Sequence, residues 1–257
     1  MAASQPTYVY GVRSADQRDL GSATGIGDAA LHEIKHEDLA ALASELPDGG
    51  ELRFGREELA AHARVLEQAI EAGTILPMRF GVVMENADDV RTRLLEAHHD
   101  ELVTQLWEFD GKVELRVRAI YDEAQLMREI VRADERIQRL RERVRTLPDD
   151  ATYFDRIQMG ELIVEAIDHK RSVDAEDVLK PLAPLANQIR VGEPTHERMV
   201  VSASFLVDRS RMADFDQAVD KVGQAQAQRM RLKYTGPLPP HSFTELTGAG
   251  TAATTEA

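Results

Sequence analysis

Residues 112–121 read Lys-Val-Glu-Leu-Arg-Val-Arg-Ala-Ile-Tyr. Val113, Leu115, Val117, Ala119 and Tyr121 alternate with Glu114, Arg116 and Arg118, so an extended chain has one apolar face and one charged face. That is a half-buried β-strand, entered through the turn signal Asp110-Gly111. The fold class follows from its neighbours. Upstream, Val90, Leu94, His98, Leu102, Leu106 and Phe109 form one stripe of a helix opened by Asp88. Before that, Thr74–Met84 (TILPMRFGVVM) is apolar and partly β-branched and predicts a strand entered through Pro77. Arg56–Ala72 predicts a helix with Leu59, Ala63, Leu66 and Ile70 on one face, stopped by Gly73. His36–Leu46 predicts another, with Leu39, Leu42, Ala43 and Leu46 together, stopped by Pro47-Asp48-Gly49-Gly50. Ala29–Ile34 is read as a strand, residues 14–28 as a glycine-rich loop, and Tyr8–Val12 as a buried strand. Residues 1–122 are therefore an α+β domain near the split βαβ, ferredoxin-like type.

Downstream the pattern changes. Leu126, Ile130, Ala133, Ile137, Leu140, Val144 and Leu147 repeat at alternating fours and threes, an a/d seam that predicts one long helix. Pro148-Asp149-Asp150 ends it, and residues 152–170 predict a helix folding back as a hairpin. Ala175–Leu185 is helical, crowded by Pro181 and Pro184. Arg198–Val207 alternates as a strand. A helix carrying Met212, Phe215, Val219 and Val222 follows, then an extended stretch from Arg231. Residues 123–245 are a second α+β domain with a helical hairpin. Residues 246–257 predict a disordered tail of small polar residues.

Composition narrows function. The chain has no cysteine, which removes disulfides, thiolate catalysis and cysteine-bound metal. A formal net charge of −14 disfavours nucleic acid and anionic membrane surfaces as partners. No apolar run reaches the ~20 residues a membrane span requires. Residues 1–6 carry neither the basic nor the apolar segment of a secretion signal, so the expected location is the cytoplasm.

One string fits a catalytic pattern: His32-Glu33-Ile34-Lys35-His36 matches H-E-x-x-H, which on a helix chelates zinc and supplies a base. Lys35 charges it, no third histidine ligand follows, and on a strand the two imidazoles stand about 13 Å apart. A zinc-dependent hydrolase is the rival this motif offers, and a coiled-coil scaffold built on residues 123–147 is the other. His98 and His99, adjacent on a helix, do not face each other, and His62 stands alone. Glu57-Glu58 and Asp88-Asp89 suit helix N-termini. The arginines of residues 136–145 alternate with acids as a solvated face. No P-loop, G-x-G-x-x-G or G-x-S-x-G is present.

Two segments need a different explanation. In Ile75-Leu76-Pro77-Met78-Arg79-Phe80-Gly81 an arginine lies inside an apolar strand and requires a partner there. In Tyr234-Thr235-Gly236-Pro237-Leu238-Pro239-Pro240-His241-Ser242-Phe243 the prolines hold the chain extended, either as a strap packing the chain end onto the second domain or as a docking face. LPMRFGVV followed by GKVELRVRAIYDE, and VVSASFLVDR followed by YTGPLPPHSF, resemble the gas vesicle protein family F/L (GvpF/GvpL). With TYVYGV the resemblance spans roughly residues 7–245; His241 stands where the family more often has tyrosine. The resemblance implies two domains and a role in building gas vesicles in the cytoplasm. Its implied partners are the small hydrophobic shell protein GvpA and further gas vesicle accessory proteins. It implies no catalysis, cofactor or metal. The candidate partner-binding residues are Arg79, Phe80, Tyr234, Gly236, Pro237, Leu238, Pro240 and Phe243.

Overall fold

The structure is a computed structural model that describes residues 5–18, 20–46 and 54–245. The chain forms two compact units: residues 1–114 with 236–257, and residues 115–235. Both mix helix and sheet, as the α+β reading requires. The stop expected at Pro47–Gly50 and the tail at 246–257 lie outside the described residues.

The first unit is built on strand β1 (Thr7–Ser14). Its residues through Arg13 are buried on both faces, so it is central. It pairs antiparallel with β3 (Leu39–Glu45) on one side and with β4 (Ile75–Pro77) and β5 (Val83–Met84) on the other; β2 (His32–His36) closes the β3 edge. A bulge between Val9 and Gly11 shifts the register. Gly11 is required there, because a Cβ would stand 2.7 Å from the Leu76 carbonyl oxygen. The expected continuous strand Thr74–Met84 is thus two short strands, separated by a turn at Gly81 with φ of 97°.

The helix expected over His36–Leu46 is β3 instead, and the expected strand Ala29–Ile34 moves to β2 at His32–His36. Strand β3 lies between β2 and β1 and is covered on both faces, so Ala40 and Ala41 are as buried as Leu39 and Leu42. A strand buried on both sides loses its alternation, and Leu39, Leu42, Ala43 and Leu46 imitate a helical stripe.

Helix α1 (Arg56–Ala72) keeps its predicted bounds, with Gly73 closing it. Its buried face is Ala61, His62, Val65, Leu66, Ala69 and Ile70, while Leu59 points to solvent. A short turn α2 (Ala87–Asp89), capped by the Asn86 side chain, runs into a π-helical segment at Val90–Glu96 and then α3 (His99–Glu108). The stripe Val90, Leu94, His98, Leu102, Leu106 steps by fours, which overshoots an α-helical turn by about 40° each time. The wider turn takes up part of that drift and keeps Val90, Leu94 and Leu102 buried, with His98 half-buried.

The second unit contains a four-stranded sheet in the order β7-β8-β6-β9. Its strands are β6 (Lys112–Tyr121), β7 (Gln188–Gly192), β8 (Met199–Asp208) and β9 (Met230–Leu238). Strand β6 has the bounds read from its alternation. Helix α7 (Met212–Gln226) sets Phe215 against Phe205 of β8, ring centroids 5.1 Å apart.

The single long helix expected from the a/d seam is two: α4 (Glu123–Ala133) and α5 (Glu135–Thr146). Asp134 breaks it, extended at φ −123°, ψ 111°, with its carboxylate accepting from the Arg136 N–H as the cap of α5. Leu126, Ile130 and Ile137 are buried, but Leu147 is exposed, so the seam does not run its expected length. Helix α6 (Tyr153–Leu179) returns along α5, with Arg143 donating to Asp155 at 2.9 Å, as the hairpin reading requires. It also absorbs the first part of the helix expected at Ala175–Leu185. The end of β6 is tied down by a buried ionic knot. Asp174 accepts from Tyr121 at 2.7 Å and Arg229 at 2.6 Å, and Lys170 bridges Asp174 and Glu129 at 3.3 and 2.8 Å. Burial alone would raise the Asp174 carboxyl. Hydrogen bonds from Tyr121 and Arg229, with the charges of Lys170 and Arg229, outweigh it and hold Asp174 below the usual carboxylate range.

Candidate partner-binding surface

The LPMRF segment sits over an aromatic cluster in the first unit. Alternation along β1 sends Tyr8 and Tyr10 to the same side, rings 4.8 Å apart. His62 arrives from α1, stacked on Tyr10 at 5.7 Å and edge-on to Tyr8. The Gly81 N–H donates to the Tyr8 hydroxyl at 3.1 Å, and the same hydroxyl is hydrogen-bonded with His62 Nδ1 at 2.9 Å. Burial, helped by the charge of His241 and opposed by a hydrogen bond to the Met78 backbone, pushes the pKa of His62 down to about 4. Tyr10 is held in turn by Ser44 and the Ile26 N–H.

Phe80 lies on top of this cluster, half-buried, 6.2 Å from Tyr8 and 5.7 Å from His62. Its other neighbour is Phe54, edge-on at 5.7 Å and 80 % exposed. Leu59, one turn into α1, is exposed as well. A rigid buried base thus presents aromatic and aliphatic groups to solvent. Arg79 corrects an expectation: it is exposed, with no hydrogen bond or ion pair among the described residues. The turn after Pro77 swings it off the sheet.

The buried arginine of this unit is Arg13. Its Nε donates to Glu33 at 2.8 Å, its Nη2 pairs with the same carboxylate, and its Nη1 donates to the Arg18 carbonyl at 3.0 Å. Glu33 is the glutamate of HEIKH, so that motif's acid serves as a counter-ion. His32 and His36 lie at opposite ends of β2, as the strand reading required.

The proline strap divides. Tyr234, in the second unit, donates to Asp216 at 2.5 Å and lies 6.1 Å from Phe215. Gly236 and Pro237 are exposed and Leu238 is half-buried, whereas Pro240 and Phe243 are buried. The end of the strap belongs to the first unit, whereas the packing alternative had placed it on the second. Ser242 donates from its N–H and its hydroxyl to the fully buried Glu114, at 2.7 and 2.8 Å. Gln105 and the Glu245 backbone exchange two hydrogen bonds. Phe243 and Pro240 are therefore anchors, and the accessible candidates are Arg79, Phe80, Tyr234, Gly236, Pro237 and part of Leu238.

Sequence reasoning missed Phe54 and His62. For His62 a signal existed: it shares a helical face with Val65, Leu66 and Ala69. Among the described residues one grouping has metal-ligand spacing, Glu37, Asp38 and His99. No helix among them is long and apolar enough to cross a membrane.

The family model for gas vesicle synthesis protein GvpL/GvpF matches residues 6–245. Gas vesicle protein F of a Streptomyces species is 33 % identical, over 93 % of this chain and 99 % of that protein. Gas vesicle protein L1 of Halobacterium salinarum is 23 % identical, over 93 % of this chain and 90 % of its own. The crystal structure of GvpF from Anabaena superposes with a TM-score of 0.81 at 24 % identity, covering 95 % of this chain and all of that one. With a family match over nearly its whole length, the chain belongs to the GvpL/GvpF family of gas vesicle proteins, which is involved in gas vesicle formation and is not a known class of enzyme.

Proposed function

We propose that this protein assists gas vesicle assembly by binding the hydrophobic shell protein GvpA, without a catalytic step, in the cytoplasm and at the vesicle. A subunit that will wall off gas exposes apolar surface before assembly, and such surface aggregates in water. A strongly acidic partner that covers it keeps it dispersed until it joins the growing shell. The observation that carries this reading is the pair Phe54 and Phe80, exposed and half-exposed above a rigid buried cluster, with Leu59 and Arg79 also open to solvent. Aromatic side chains packed on a buried base suit a binding surface, because little of their order is lost on contact, and Arg79 adds donors beside them. The hydrolase reading loses its base, since Glu33 is committed to Arg13. The scaffold reading loses its continuous seam at Asp134.

The test is capture of purified shell protein by this protein, compared with a Phe54→Asp, Leu59→Asp double variant. Both side chains are exposed, so the variant should keep its circular dichroism and melting temperature while losing capture. Undiminished capture would place the contact elsewhere.

A further inference from the structure

The turn joining β2 to β3 and the first turn of α3 meet at a cluster that nothing above uses. His99 Nε2 lies 2.7 Å from Asp38 Oδ1 and 3.4 Å from Glu37 Oε2, and the three ligand atoms fall within 4.8 Å of one another. Behind it, His99 Nδ1 faces Asp100 Oδ1 at 3.4 Å. The ring of His36, last residue of the HEIKH string, stands 6.1 Å from the His99 ring. We propose that Glu37, Asp38 and His99 form a site for a divalent transition-metal ion that pins the β2–β3 turn to the start of α3.

Two ligand atoms each about 2.1 Å from a tetrahedral zinc ion stand about 3.4 Å apart. The Glu37–His99 spacing already has that value, and the Asp38–His99 contact would open by less than 1 Å. Glu37 and Asp38 are on an exposed turn and can make that movement. One imidazole with two carboxylates is a nitrogen–oxygen set of the kind zinc accepts, with solvent completing the coordination. Asp100 on the far ring nitrogen is the partner such an imidazole commonly has, fixing its tautomer and orientation. Charge points the same way. Three carboxylates surround His99, and the nearby cations have other partners: Arg91 with Asp88, Lys35 with Glu33. His98 turns to Glu101. Glu33 is not a member of the group and is paired with Arg13.

The probe is Zn²⁺ itself, titrated into the whole protein by calorimetry, with Co²⁺ absorption as a second readout. The chain has eight histidines, so site-specific variants decide. Wild type should bind one ion with micromolar affinity and melt at higher temperature when loaded. His99→Ala and Asp38→Asn, at a half-buried and an exposed position, should lose the tight ion and show no thermal gain over their own metal-free melting temperatures. Asp100→Asn should weaken the ion by about tenfold at unchanged stoichiometry. His32→Ala should change nothing. The absence of one-to-one binding, or binding and thermal gain undiminished in His99→Ala, would overturn the proposal.

Discussion

His62 gives the sharpest test of the aromatic cluster. Its pKa falls from 6.5 to about 4 in the folded protein, chiefly through burial. Between those values the unfolded chain binds a proton that the native protein refuses. The contribution is full above pH 6.5 and is lost as pH falls towards 4. Linkage between pH 7 and pH 5 then gives a loss of about 2 kcal/mol. The chain's single tryptophan, Trp107, is 79 % exposed and reports little, so backbone circular dichroism is the readout. Guanidinium titrations followed by far-ultraviolet circular dichroism at both pH values, for wild type and His62→Gln, measure the difference. Glutamine can hydrogen-bond with Tyr8 but does not titrate in this range. His99 has the opposite sign: hydrogen bonding to Asp38 and Asp100 raises its pKa, so its contribution is present at low pH and lost as pH rises. It is common to both proteins and cancels in their difference. The wild type should lose about 2 kcal/mol more than the variant between pH 7 and pH 5. Equal losses would refute a buried neutral His62.

The HEIKH string separates by residue: Glu33→Ala should cost about 3 kcal/mol in chemical denaturation by stranding the buried Arg13, whereas the double variant His32→Ala, His36→Ala should leave stability and vesicle formation unchanged. In the second unit, Arg229→Met should lower stability by about 2 kcal/mol, because Asp174 keeps Lys170 but loses its second cation; an unchanged melting temperature would count against the knot. The depressed Asp174 carboxyl supports the fold above its unfolded pKa and ceases to as pH falls through its lowered folded value, so this loss should lie on the acid side of the His62 window. In the strap, Phe243→Ala should cost about 3 kcal/mol, and truncation after Thr235 should melt earlier still, since Glu114 then also loses Ser242. A truncated protein with native stability would show the strap to be dispensable for folding.

Legibility in the sequence followed burial on one face. Helix α1 could be bounded because it has a wet side and a dry side, and β6 because its charged and apolar residues alternate, although Glu114 on its charged face is fully buried. Strand β3 was misread because both of its sides are dry. The break at Asp134 was hidden because Ile130 and Ile137 are buried on either side of it, so the apolar spacing runs through an interruption of the backbone. The capping chemistry of Asp134 was present in the sequence but outweighed by the seam. Of the candidate site, the two segments could be found, but not which of their side chains face out. Arg79 has the apolar sequence context, yet the turn after Pro77 carries it out, while Arg13, followed by Ser14 and Asp16, is buried because β1 is covered on both faces. Phe54 precedes a helix with no pattern to mark it.

The seating of Ser242 on Glu114 bears on how the chain is made. Residues 236–245 complete a unit whose other part ends at Glu114, so the second unit is an insertion within the first. During synthesis the ribosome delivers the sheet around β1 early, then the whole insertion, and only afterwards the segment that satisfies Glu114 and buries Phe243. Until then the nascent first unit holds a carboxylate and an apolar seat without their partners. The insertion can reach its own compact state in the meantime, and by doing so it shortens the effective loop that must close. The order of folding is thus nested: the inner unit first, and the outer one sealed when residues 236–245 leave the ribosome.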